Sequence, residues 1–233
     1  MTASQIKSKH RVIHYGEVLT PKHIVKAMLD LVKAETERIE SRFLEPACGT
    51  GNFLIEVLER KLRVVENRYS KSQLEYERYA ILALSSIYGI DILADNVEEC
   101  RRQLFELFDA AYSRLFKTKA KKQCRQAARY ILRRNIVHGD AISLKTVGEN
   151  PRPIIFSEWS LVNGSFIKRR DFAFYELVSC SETQTLVLHE LASCRGKRTM
   201  PILSDLGEEA FIPEPIKDYP PVSFLEVANA YDD

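Results

Sequence analysis

The stretch Phe43-Leu44-Glu45-Pro46-Ala47-Cys48-Gly49-Thr50-Gly51-Asn52-Phe53-Leu54 constrains the fold more than any other. It reads as a strand, a tight glycine turn and a helix. Phe43 and Leu44 end a short apolar run. Gly49 and Gly51 permit positive φ and let a ligand approach backbone that a Cβ would shield. From Asn52 onward, Phe53, Leu54, Val57, Leu58 and Leu62 recur at helical spacing. The turn therefore sits at a helix N-terminus, where free N–H groups and the dipole favour a negatively charged ligand group. A dinucleotide fingerprint would need a third glycine, and the bulky Leu54 stands there instead.

Upstream, residues 1–14 are polar and basic and read as a flexible arm with no secretory h-region. Thr20 is a candidate N-cap and Pro21 suits the first helical position, with Ile24, Val25, Met28, Leu29 and Val32 marking one helix face. Downstream, the helix opened at Asn52 runs to about Glu66. Residues 67–77 are polar, an insertion or continued helix. Residues 86–92 read as a second buried strand with Asp91 at its C-terminal end, the edge where open parallel sheets bind ligands. Asp95 and Glu98 have the spacing of a capping box. The next helix carries Leu104, Leu107, Phe108, Ala111 and Leu115. Residues 135–138 make a third strand, ended by Gly139-Asp140, and residues 154–156 a fourth. Asn163-Gly164 suits a hairpin turn, and Leu186 to Leu188 one more strand.

With 233 residues, 45% apolar and 28% charged, the chain matches one globular domain with a tail. No apolar run is long enough to cross a membrane. Five dispersed cysteines without a C-x-x-C read as reduced thiols in a cytoplasmic protein, and no metal site is expected. Net charge is only +2 but uneven. Residues 117–134 hold eight basic residues and no acid, whereas residues 204–233 hold eight acids and Lys217 alone among cations. Such asymmetry fits either a nucleic-acid face and an acidic tail or two solvated surfaces.

The nonapeptide from Glu45 to Phe53 resembles the cofactor loop of S-adenosylmethionine-dependent methyltransferases, in the variant found in DNA N6-adenine methylases. Gly16-Glu17-Val18-Leu19-Thr20-Pro21 resembles the motif preceding that loop in the same family, whose Thr-Pro turn closes over the methionine end of the cofactor. The resemblance implies that Asp91 accepts from the ribose diol, that Ile92 packs on the adenine and that Asp140 accepts from the adenine amino group. Tyr15, Thr20, Glu45, Pro46, Gly49, Gly51, Asp91, Ile92 and Asp140 would then line the cofactor site.

The family's fourth motif is absent. Asn, Asp or Ser followed by Pro-Pro and an aromatic normally accepts the amine hydrogens and stacks on the extruded base. Seventeen residues after Asp140 stands Ser157-Glu158-Trp159, with no prolines. Ser157 is a candidate polar acceptor, Glu158 a candidate acceptor for another substrate, and Trp159 a candidate stacking ring. An ordinary core tryptophan explains Trp159 equally well. Arg125, Lys168, Arg169 and Arg170 are candidate phosphate contacts.

The expected fold is α/β, a three-layer Rossmann-like methyltransferase domain with a mostly parallel sheet and helices on both faces. It would span residues 15–200, with the arm at 1–14 and an acidic, proline-containing tail at 201–233. The expected function is methylation of DNA adenine in a restriction-modification setting. Nothing in the sequence could build a target-recognition domain, so a specificity or restriction subunit is an expected partner. A catalytically inactive cofactor-binding subunit or regulator stays open, as does a methylase of a protein or small molecule.

Overall fold

The computed structural model describes residues 7–179, 202–203, 209–210 and 213–231. Three short helices open it: α1 (Lys9–Tyr15), α2 (Lys22–Asp30) and α3 (Lys33–Thr36). Strand β1 (Phe43–Glu45) leads through the glycine turn into α4 (Asn52–Tyr69), followed by α5 (Gln73–Ser85) and β2 (Ile87–Asp91). Then come α6 (Ala94–Phe116), α7 (Lys122–Asn135), β3 (Ile136–Asp140) and the two-residue β4 (Lys145–Thr146). The expected arm is thus helical over its second half, and the polar residues after Glu66 continue α4 by a turn before α5 begins.

The central sheet has the order β1-β2-β3-β4, parallel across the first three strands and antiparallel at β4. Leu44 faces Tyr88, and Ile90 faces Val137. Two crossovers through helices bring β1, β2 and β3 into one parallel ladder, the geometry that βαβ units require. Their C-terminal ends therefore share one edge of the sheet, and Glu45, Asp91 and Asp140 all stand on it.

In α4 the buried face includes Leu54, Val57, Leu58 and Leu62, which the helical spacing picked out. Val65 is buried too, as are Cys124, Ala127, Ala128, Ile131 and Leu132 of α7. These join Ile87 and Ile136 in the main core. Each fully buried Val, Leu or Ile among them contributes roughly 1.5–3 kcal/mol. On the alternate positions of the same strands, Tyr88, Ile90 and Val137 form a second, smaller core with Leu144, Ile154, Phe156 and Phe174.

Beyond β4 the architecture departs from expectation. Residues 154–156 do not form a fourth parallel strand. Strand β5 (Ile155–Leu161) pairs antiparallel with β6 (Phe166–Ala173) over its whole length, from Ile155 opposite Ala173 to Leu161 opposite Ile167. The turn between them has Gly164 at φ 62°, and Val162 N–H donates to Phe166 C=O at 2.9 Å. A hairpin closes a loop of a few residues, so it costs far less chain entropy than a return to the far edge of β1. Helix α8 (Phe174–Ser179) follows, and β7 (Ile202–Leu203) pairs with β8 (Glu209–Ala210). The strand expected at Leu186 to Leu188 lies outside the described residues.

The final segment docks. Strands β9 (Lys217–Asp218) and β10 (Val222–Ser223) both pair with β6, and α9 (Val227–Ala230) follows. Phe224, Val227 and Tyr231 are buried against the main core. Arg169 of β6 is the anchor. It is fully buried, donates to Asp171 at 2.8 and 2.6 Å and to Tyr130 Oη at 2.6 Å, and lies 4.3 Å from the ring centre of Tyr219.

Candidate functional site

The glycine turn is built by its own backbone and by one carboxylate. Cys48 N–H donates to Ile90 C=O at 2.9 Å, which ties the turn to β2. Gly49 and Gly51 both have positive φ, 52° and 95°. Gly51 N–H donates to Cys48 C=O and Ile55 N–H to Gly51 C=O, each at 2.8 Å, closing the turn into α4. The Asp91 carboxylate lies beneath it. Its Oδ2 accepts from Gly49 N–H at 2.8 Å, and its Oδ1 accepts from Leu93 N–H at 2.9 Å and from Asn96 Nδ2 at 3.2 Å. The two ends of the loop differ in the room they leave. A Cβ on Gly51 would fall 2.7 Å from Cys100 Sγ, whereas one on Gly49 would meet only Leu19 Cδ2, at 3.6 Å. Gly49 thus faces a space roofed by the Leu19-Thr20-Pro21 turn.

That roof is tied down. Asn52 Nδ2 donates to Thr20 C=O at 3.0 Å, joining the two motifs that the sequence keeps apart by some thirty residues. Thr20 does not cap α2 with its side chain: the helix starts at Lys22, and Pro21 stands at the cap without a side-chain bond. Asp95 likewise caps nothing. It lies inside the first turn of α6, and Asp91 takes the Leu93 N–H instead.

Glu45, Pro46, Ile92 and Asp140 stand at or just past the same strand ends. Glu45 ends β1; burial pushes its carboxyl above the usual carboxylate range, opposed by a hydrogen bond from Ala47 N–H. Pro46 follows it and is exposed. Ile92 is 42% exposed just past β2, and its carbonyl lies 3.0 Å from His138 Nε2 on β3. Asp140 accepts from Ile142 N–H at 2.9 Å, and this bond holds its carboxyl below the usual range. Tyr15, at the end of α1, is 50% exposed. Thr20, Gly49, Gly51 and Asp91 are therefore linked through one bonded network, and Ile92 and Asp140 stand on the neighbouring strand ends.

Ser157, Glu158 and Trp159 are not on this edge. Trp159 is only 4% exposed, and its indole N–H donates to Asn135 Oδ1 at 2.9 Å. Asn135 precedes β3 and donates to Ser85 and Ile87 carbonyls, each at 3.1 Å, so it marks the N-terminal end of the strands. Trp159 also borders a cavity of about 280 Å³ with Glu40, Ser85 and Ser86, which precede β1 and β2. Ser157 is fully buried and donates to Asp171 at 2.7 Å. Glu158 pairs with Arg42, just before β1, and with Arg170 at 2.5 Å. Trp159 and Glu158 thus meet residues at the sheet edge opposite Asp91 and Asp140, and Ser157 is buried over the middle of the sheet, where its carbonyl accepts from Tyr88 Oη at 2.9 Å. The expectation that Trp159 stacks on a base beside the cofactor, with Ser157 and Glu158 as acceptors, is corrected by this placement.

The expected phosphate contacts are also engaged internally. Arg169 is buried and cannot reach a phosphate. Arg125 pairs with Asp109 at 2.5 Å and lies over the Tyr112 ring, and Lys168 pairs with Asp218 at 2.9 Å. The exposed cations of α7 are instead Lys122, Arg129 and Arg133. Among the described residues no cluster of His, Cys, Asp or Glu could hold a metal ion, and no helix is long and apolar enough to cross a membrane.

Residues 22–148, which include the glycine loop, Asp91 and Asp140, match the family model of the MmeI DNA-methyltransferase domain. The chain belongs to that family. Two curated relatives carry restriction and methylation in their names. The type II restriction enzyme and methyltransferase RM.BcgI of Heyndrickxia coagulans is 38% identical over 78 residues, 33% of this chain and 10% of that protein. The putative type II restriction enzyme and methyltransferase RM.MjaORFECS2P of Methanocaldococcus jannaschii is 34% identical over 93 residues, 39% of this chain and 7% of that protein. The chain thus spans a tenth or less of the length of these relatives. No solved structure matches.

The structure adds three residues to the site. Asn52 bonds the Thr-Pro turn, Asn96 donates to Asp91, and Glu17 accepts from Asn96. Asn52 and Glu17 carried a signal, since each lies within one of the two motifs, whereas Asn96 carried none.

Proposed function

We propose that the chain binds S-adenosylmethionine across the C-terminal ends of β1, β2 and β3 and is the cofactor-holding core of a restriction-modification methyltransferase of the DNA N6-adenine type. The observation that carries this is the bond from Gly49 N–H to Asp91, which joins the glycine loop to the acid on the next strand within a DNA-methyltransferase family match. In this reading helices α4, α6 and α7 form one layer of a Rossmann-like domain, the sheet the second, and the start of β5 with α8 the third.

The residues fit the group. The open side of Gly49 leaves a cradle that a Cβ would narrow. A carboxylate offers about four lone-pair sites. Asp91 uses three of them within the protein, which leaves one directed acceptor for a ribose hydroxyl. Ile92 offers an exposed apolar surface for the adenine ring, Asp140 an acceptor for its amino group, and the Thr20-Pro21 turn a cover for the amino-acid end. When bound, the cofactor supplies an electrophilic methyl group on a sulfonium. The protein's part is to hold that group in line with an acceptor and to exclude water, since the transfer depends on alignment more than on acid or base strength.

Ser157, Glu158 and Trp159 are each bonded inside the fold, so none of them supplies the acceptor side. We therefore assign adenine binding and target recognition to a DNA-contacting partner or to further residues. The placement of Trp159 also favours a second reading, a cofactor-binding subunit without methyl transfer of its own. Labelled cofactor incubated with the protein and duplex DNA, followed by digestion to nucleosides, separates the two. N6-methyladenine supports the first reading. Bound cofactor without any methylated base supports the second, and absence of cofactor binding refutes both.

A further inference from the structure

The first described residues make a device that neither the glycine loop nor the family match accounts for. Helix α1 is capped at Ser8, whose Oγ accepts from Arg11 N–H at 3.2 Å, and closed by Gly16 at φ 64°. It buries no residue. Apolar packing therefore does not hold it, and its attachment is electrostatic. Arg11 is the hub. Its Nε and Nη2 donate to the two carboxylate oxygens of Glu17 at 2.5 and 3.0 Å, and its Nη1 and Nη2 donate to Asp95 at 2.6 and 3.2 Å.

All of this converges on one buried amide. Asn96 is 1% exposed. Its Oδ1 accepts from Lys7 Nζ at 2.6 Å and from Arg11 Nη2 at 3.0 Å. Its Nδ2 donates to Glu17 Oε1 at 2.7 Å and to Asp91 Oδ1 at 3.2 Å. Two cations face the oxygen and two carboxylates face the nitrogen, so the amide has one orientation that satisfies every group. A continuous chain of bonds then runs from Arg11 through Glu17 and Asn96 to Asp91 and on to Gly49 N–H.

We propose that Arg11 and Asn96 are positioning residues of the loop site: the docked arm holds the Asp91 carboxylate in place, and Asp91 in turn holds the backbone of Gly49. This rests on the cofactor reading only where it concerns affinity, and the coupling of arm to loop stands on the bonds alone. A charge-held arm loosens as salt rises. Removing the Arg11 fork releases Glu17 and Asn96 together, and lysine cannot replace a bidentate guanidinium.

The test is amide hydrogen exchange on the wild-type protein, Arg11→Ala, Arg11→Lys and, as a distant control, Arg114→Ala, which breaks only the surface pair with Glu66. Arg11→Ala is expected to speed exchange of the Gly16 and Gly49 amides tenfold or more while amides in the middle of α4 and α7 keep their rates. Arg11→Lys should recover only part of the protection, and raising salt should speed Gly49 in the wild type but not in Arg11→Ala. Affinity for S-adenosylmethionine, measured alongside, should fall three- to thirtyfold in Arg11→Ala. Unchanged Gly49 exchange, or an equal acceleration across the whole molecule, overturns the coupling. A wild-type protein without affinity would count against the cofactor reading, and the exchange rates would still decide the coupling.

Discussion

Gly51→Ala is a sharp test of how the loop is packed. Gly51 sits at φ 95°, and a Cβ there would lie 2.7 Å from Cys100 Sγ, with Cys100 Cβ and Cα at 3.5 and 3.6 Å. Two costs follow. A left-handed conformation costs an L-residue about 1–2 kcal/mol. The sulfur must also move by roughly an ångström inside a filled core, because Cys100 is 0% exposed, and overpacking of this kind costs about 1–3 kcal/mol. The sum, about 2–5 kcal/mol, is a large part of the stability of an ordinary domain. The two costs separate in a double-mutant cycle. With Cys100→Ala the sulfur is gone and the remaining contacts are ordinary, so Gly51→Ala should then cost only the backbone part, leaving a coupling of about 1–3 kcal/mol. Urea unfolding of the four proteins measures it. Equal costs of Gly51→Ala in both backgrounds would refute the contact and the loop geometry built on it.

Two further outcomes concern buried polar groups. Lys61 is fully buried, and its Nζ donates to Ile39 C=O at 3.1 Å, to Ser86 Oγ at 2.5 Å and to Ser41 C=O. Burial pushes its pKa down to about 7. Between there and the unfolded value near 10.4 the unfolded chain binds a proton that the folded chain lacks. Stability from this group therefore rises with pH, by up to about 1.4 kcal/mol per unit. Relative to Lys61→Met, the wild type should gain from pH 7 to pH 9 in urea unfolding, and a flat difference would mean that Lys61 stays charged when folded. Trp159 is the single tryptophan, so its emission should be blue-shifted, insensitive to iodide and unchanged by added DNA. Trp159→Phe, which strands Asn135 Oδ1, should cost about 1–3 kcal/mol of stability, and quenching by DNA would instead place the ring at the acceptor site.

The legible part of this fold is its local part. The glycine turn, α4, β2 and β3 follow from helical spacing, from strand runs and from two glycines with positive φ, all within windows of a dozen residues. The acid at the end of β2 was legible for the same reason. What was not legible depends on residues far apart in the chain. Nothing local says that β5 pairs with β6 rather than with β1, although Asn163-Gly164 marks the turn. Buried charge was the other failure. Arg169 was read with its basic neighbours as a phosphate contact. Yet Ile167, Arg169, Asp171 and Ala173 share the buried phase of β6, and that two-residue period was there to be seen. The arm is polar and basic and so reads as flexible, whereas Arg11 meets Asp95 and Asn96 eighty-odd residues later in the chain.

Calorimetric titration of S-adenosylmethionine into the wild-type protein and Asp91→Asn tests the central claim most directly. Asn keeps one oxygen for the loop but loses the charge, so it disturbs the fold less than Ala would, which strands three donors. The account predicts micromolar binding by the wild type and a loss of about 1–3 kcal/mol in Asp91→Asn, the value of hydrogen bonds to a charged acceptor. No heat of binding in the wild type, or equal affinity in the two proteins, would contradict it.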